Sequence, residues 1–163
     1  MAVKKVGMHK WRSGSGNDQL ETRALATCIR IAIVGVYPAH DQAPGSPDRF
    51  LAHIKETDER PAILVQLIRK VQAAVAAGLT DLKATVVLCH PDSVVTNNSG
   101  PVTPEQAEKN QLSIEEQEAH NDVVMDDMYS MVARENVVIQ KHHCDEFWKL
   151  VIKGDKQFEY GPQ

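Results

Sequence analysis

The sequence predicts a mixed α/β (α+β) fold, a single-domain sandwich with a mixed central β-sheet and two main helices. Three observations predict it. A β-branched run, Ile29 to Val36, has the length and composition of a buried strand. Two longer segments, about 60–77 and 114–134, carry apolar residues at helical spacing. Short apolar segments separated by turn residues flank both of them.

Val3 to Trp11 alternates enough to be a strand, and it meets the turn cluster Ser13-Gly14-Ser15-Gly16-Asn17-Asp18. Leu20 to Val36 reads as two consecutive extended pieces. Three prolines and a glycine make Pro38 to Asp48 a loop, and Arg49 to Ile54 is a short returning strand. The helix at 60–77 has capping oxygens in Thr57 and Asp58, a first-turn Pro61 and a stop at Gly78. Its apolar face is Ile63, Leu64, Leu67, Ile68, Val71 and Val75. Lys83 to Leu88 follows as a strand, close enough to form a crossover unit.

Residues 90–112 are polar and turn-rich, and are expected to be a loop insertion within one domain of residues 1–163. A short helix could start at the capping-box pattern Thr103-Pro104-Glu105-Gln106. The second long helix is expected from Ile114 to Arg134, opened by Ser113, with Val123, Val124, Met128, Met131 and Val132 facing inward. Val137 to Lys141 is a strand. Phe147 to Ile152 and Gln157 to Tyr160 form a terminal hairpin across Lys153-Gly154-Asp155. The expected product is one mixed sheet with helices packed on it.

Composition narrows the function. The chain has 163 residues, 42% of them hydrophobic, and a formal net charge of −4. No basic patch suggests a nucleic-acid partner. The run Ile31 to Val36 is too short to span a bilayer, so no membrane insertion is expected. No secretory signal is visible behind Lys4 and Lys5. Three widely spaced cysteines, Cys28, Cys89 and Cys144, make no disulfide framework and fit a reducing compartment. The expected location is cytoplasmic, or the cytosol of a target cell reached without a signal peptide.

Cys28 sits where a turn enters a strand, in Ala24-Leu25-Ala26-Thr27-Cys28. There a cysteine can offer its own backbone N–H to a developing oxyanion. The small residues before it let the backbone approach a substrate carbonyl. A thiol becomes a nucleophile when an imidazole takes its proton and holds it as an ion pair. On its own this position most often marks a buried core cysteine.

The order of features from residue 6 to residue 53 resembles the start of the bacterial chemoreceptor glutamine deamidase family, CheD. The matching pieces are Val6-Gly7-Met8, Gly14-Ser15-Gly16, Thr22, Leu25-Ala26-Thr27-Cys28, Ile29 to Val36, and Leu51-Ala52-His53-Ile54. The later elements follow in similar order. The resemblance implies Cys28 as nucleophile, His53 as general base and Thr22 as the catalytic threonine. It places Thr27, Ala26 and Leu25 at the substrate. It implies a protein partner bearing a reactive glutamine, with room for a regulatory or inhibitory protein partner, and no metal or organic cofactor. The same cysteine–histidine core is shared by cytotoxic necrotising factors and related deamidase toxins. Where that family has glycines before the cysteine, this chain has Ala24 and Ala26. Where it has Gly-Gly-Asn-Arg near its C-terminus, this chain has His142-His143-Cys144-Asp145-Glu146-Phe147-Trp148. Cys89-His90-Pro91-Asp92-Ser93 replaces a glycine-rich stretch. These departures point to a divergent effector-like or toxin-like member rather than a chemotaxis protein.

Other clusters have plainer readings. His142, His143 and Cys144 read as an exposed turn rather than a metal site. Cys89 and His90 are adjacent on an extended chain and point to opposite faces, so they are not a nucleophile–base pair. If strand order brings residue 89 beside Cys28, it lines the same pocket. Ser13 to Gly16 is a hairpin turn, too short for a phosphate loop. Met125, Met128 and Met131 are helix core, and the acidic residues between Glu115 and Asp127 are a solvated face.

Overall fold

The structure is a computed structural model, and it describes residues 3–24, 27–38, 43–55, 62–95 and 100–162. The elements in chain order are β1 (Val3–Val6), β2 (Lys10–Gly14), β3 (Gln19–Ala24), β4 (Ile29–Val36), β5 (Arg49–Ile54), α1 (Ala62–Ala76), β6 (Thr80–Cys89), α2 (Pro104–Tyr129), β7 (Val137–His142), β8 (Trp148–Ile152) and β9 (Phe158–Pro162).

The strands form two mixed sheets rather than one. One runs β1-β3-β8-β9 and the other β2-β5-β4-β6-β7. The 15–18 turn therefore does not close a hairpin. It carries the chain from β2 in one sheet to β3 in the other. β5 and β6 both lie antiparallel to β4, one on each side, so α1 crosses over β4 between two parallel strands.

Alternation along the strands sorts side chains into two cores. Ile29, Ile31, Ile33, Phe50, Ala52, Ile54, Val86 and Leu88 face the helices, where they meet Leu64, Leu67, Val71, Val124 and Met128. Ala32, Val34, Leu51 and Val87 face the other way and meet Val6, Leu20, Leu150 and Ile152 of the four-stranded sheet. β4 is buried on both faces, which is why its sequence is a nearly continuous apolar run. A Cβ on Gly35 would lie 2.7 Å from the Leu79 side chain, so only glycine lets β4 pass the end of α1 at its bulge.

The helices depart from expectation in register. The capping residues Thr57, Asp58 and Pro61 lie outside the described residues. Gly78 ends α1 with φ 101°, as expected. Ala74 is buried, whereas Val75 is 44% exposed. α2 is one continuous helix capped by Thr103, whose hydroxyl accepts from the Gln106 N–H at 3.2 Å. Residues 104–112 are thus helical rather than part of a loop. Ser113 lies inside the helix and donates to the Lys109 carbonyl. The inward face holds Gln117, His120 and Asn121 with Val124, Met125 and Met128, while Val123 is 42% exposed. Among the described residues no helix is long and apolar enough to cross a membrane.

Candidate active site

One end of the space between the sheets collects the titratable side chains. The alternation that sends Ile29, Ile31 and Ile33 to the helices sends Arg30 toward the four-stranded sheet. The same parity turns His53 on β5 and Cys89 on β6 to that side. β4 pairs Arg30 with His53 on one flank and with Val87 on the other. β6 pairs Cys89 with His142 of β7. From the opposite sheet come Thr22 of β3 and Trp148 of β8, whose ring centroid is 5.9 Å from that of His142.

Thr22 and His53 meet directly: the threonine Oγ1 is 2.9 Å from His53 Nδ1, and both are buried. With the hydroxyl oxygen accepting from Nδ1–H, Nε2 carries the lone pair. That Nε2 is buried and has no hydrogen-bond partner among the described residues. Burial, then the charge of Arg30, pushes the His53 imidazole down to about 4. The ring is neutral at neutral pH.

Cys28 is 2% exposed and immediately precedes β4. It stands two residues from Arg30, the register partner of His53. It is therefore the diagonal neighbour of the imidazole, about 7–8 Å away between Cα atoms in an antiparallel pair. The resting arrangement is not the thiolate–imidazolium pair expected from the sequence, because His53 Nε2 accepts no hydrogen bond from the thiol and the ring is neutral. Thr27 is half-buried. Leu25 and Ala26, expected at the substrate, lie outside the described residues.

Two further residues belong to this cluster. Arg30 is wholly buried, and its Nη1 lies 3.2 Å from His142 Nε2. His142 is buried too, on a strand end rather than in an exposed turn. Its Nδ1 donates to the His143 carbonyl at 2.7 Å, which leaves Nε2 to accept from the guanidinium. Burial and then Arg30 lower the His142 pKa, keeping it neutral. The same Nε2 is 3.4 Å from the Cys28 carbonyl oxygen, so β7 reaches the start of β4. Sequence reasoning missed Arg30 although it left a signal: one charge inside an otherwise apolar run. His142 left no such signal, because only the order β4-β6-β7 brings it to Cys28.

Among the described residues, no group of three or more histidine, cysteine or acidic side chains could hold a metal ion. A scan against protein-family models finds no match, and neither does a search of the curated proteins.

Proposed function

We propose that this chain is a cysteine-dependent amide hydrolase that converts a side-chain glutamine of a protein substrate to glutamate with release of ammonia. The observation that carries this reading is the buried Thr22–His53 contact at 2.9 Å, which fixes a neutral imidazole one diagonal from Cys28. A base oriented by a third group and placed within reach of a thiol is the arrangement that nucleophilic acyl transfer needs. The resemblance to the CheD family adds to it.

In this reading His53 Nε2 takes the Cys28 proton, and Arg30 supplies a fixed positive charge beside the resulting thiolate. The sulfur adds to the carboxamide carbon. The Cys28 N–H helps hold the oxyanion, and His53 returns its proton to the departing ammonia. Water, activated by His53, then hydrolyses the thioester. A primary amine in place of water would give transglutamination. Because Cys28 is 2% exposed, the substrate amide reaches it only after this end of the molecule opens.

The test treats a complex protein mixture with the wild type, Cys28→Ser and His53→Asn, and maps glutamine-to-glutamate conversion by mass spectrometry. Conversions made by the wild type alone support the hydrolase. A biotinylated primary amine in a parallel sample reports transglutamination. Identical maps for all three proteins would sink the hydrolase and leave a second reading, a binding module that kept the fold. The burial of Cys28 favours that second reading.

A further inference from the structure

We infer that Cys28 and Cys89 form a reversible oxidation site, in which a peroxide-class oxidant converts the thiol pair into an internal disulfide across the β4–β6 ladder. The inference goes beyond the proposed hydrolase but places its nucleophile under a second chemistry. The placement comes from strand register. β4 and β6 pair Ile31 with Val86 and Arg30 with Val87. Cys28 lies just before β4, and continuing the same antiparallel register two residues past the Arg30–Val87 pair brings it opposite Cys89.

Both cysteines share the parity of Arg30 and Val87, so both belong to the side facing the other sheet. Directly opposed residues in an antiparallel pair have Cα atoms about 4.5–5.5 Å apart, inside the span a disulfide bridges. β7 supplies a second constraint. His142 is the register partner of Cys89 and touches the Cys28 carbonyl at 3.4 Å.

A buried guanidinium is electrostatically coupled to both sulfurs. Burial pushes the Arg30 guanidinium down to about 10, and negative charge on Cys28, then on Cys89, pulls it back up. A cation that is stabilised by thiolates stabilises thiolates in return. Cys144 is placed differently. Its Sγ donates to the Ser93 carbonyl at 2.7 Å, away from Arg30. Cys89 lies between the two, with its Sγ 3.5 Å from the Ser93 hydroxyl.

The steps balance. The Cys28 thiolate attacks one oxygen of hydrogen peroxide, giving the sulfenic acid and hydroxide. The Cys89 thiol then attacks the sulfenyl sulfur, the S–S bond forms, and water leaves. Two electrons pass from the thiol pair to the peroxide. Both sulfurs are buried, so an internal thiol resolves the sulfenic acid faster than an external one reaches it. A thiol reductant reverses the change.

Trypsin leaves the three cysteines in three separate peptides: 24–30, 84–109 and 142–149. The intact protein is exposed to hydrogen peroxide, blocked with an alkylating reagent, digested without reductant and analysed by mass spectrometry. The expected result is a disulfide joining 24–30 to 84–109, removed by dithiothreitol. In Cys89→Ser, Cys28 should instead accumulate as sulfinic acid that dithiothreitol does not reverse. A bridge between 84–109 and 142–149, or equal over-oxidation of Cys28 in wild type and Cys89→Ser, overturns the inference. Glutamine conversion by the reduced protein is measured alongside. The disulfide without conversion refutes the hydrolase alone, and conversion without the disulfide refutes the oxidation site alone.

Discussion

Two buried arginines stand on the same face of the same sheet, about four residues apart along the strands, and their surroundings could hardly differ more. Arg49 on β5 is held by permanent partners. Its Nε donates to Asp48 Oδ1 at 2.9 Å, its Nη1 to the carbonyls of Asp18, Lys153 and Gly154, and its Nη2 to the Gly16 carbonyl. Lys156 closes the charge balance on Asp48 at 2.8 Å. This end stitches the 15–18 turn and the β8–β9 turn to the five-stranded sheet. Arg30 on β4 sits instead among two imidazoles and two thiols. Imidazoles and thiols are the side chains whose ordinary titration ranges lie nearest neutral pH. A buried cation surrounded by a carboxylate and carbonyls is structural. The same cation surrounded by titratable groups sets their protonation.

The largest effect is expected at the structural end. Arg49→Met leaves the buried Asp48 carboxylate with Lys156 as its remaining partner and leaves several carbonyls unpaired, at a cost of about 3–5 kcal/mol. Denaturant unfolding monitored by tryptophan fluorescence measures it. The loss should be nearly independent of pH between 5 and 8, because the partners of Arg49 are a carboxylate and backbone carbonyls rather than imidazoles or thiols. A strong pH dependence would erase the distinction between the two ends.

At the other end stability itself should depend on pH. His53 is pushed down to about 4 in the folded protein and titrates at its ordinary value of 6.5 when unfolded. Between those values the unfolded chain binds the extra proton, so stability falls as pH falls from about 6.5 to about 4 and then levels off. The size is about 3 kcal/mol for His53. His142, also lowered, acts in the same direction. His53→Asn should flatten the curve by roughly that amount, and an unchanged curve would show that His53 is not held neutral.

Arg30→Met sharpens the comparison further. Removing the guanidinium takes away one of the causes that depress both imidazoles. Their pKa values should therefore rise toward 6.5 while remaining below it, because burial, the larger cause, persists. The window of acid destabilisation narrows from its lower side. Histidine Cε1–H chemical shifts followed by NMR report each ring separately. Rings that titrate as in the wild type would mean that Arg30 does not govern them.

The two ends also differ in how far they could be read from the sequence. β4, β5 and the terminal hairpin were legible because their alternation or apolar runs match their burial directly. The single sheet was a misreading, since nothing in Ser13 to Asp18 says that the chain changes sheets there. The start of α2 was legible in the capping pattern at Thr103 to Gln106, but its continuity with the second helix was not, because residues 104–112 are polar on nearly every side and bury little. At the candidate site, Thr22, Cys28 and His53 carried a pattern that order along the chain could reveal. Cys89 and His142 join them only through strand pairing more than fifty residues away, which local sequence does not encode.

The smallest expected effect tests the contact on which the catalytic reading rests. Thr22→Val keeps the shape of the side chain but removes the oxygen 2.9 Å from His53 Nδ1. A buried imidazole nitrogen left without a partner costs about 1–2 kcal/mol. Thr22→Ser keeps the hydroxyl and loses only a methyl group, so it should recover the hydrogen-bonding part of that loss. If the threonine serves only the packing between the sheets, the two variants should rank the other way, because valine fills the space better than serine. If it orients the base, serine should also hold the alkylation rate of Cys28 near the wild-type value across pH, while valine lowers it. Stability and thiol reactivity then move together through a single hydroxyl, and the order of the two variants decides which role the contact has.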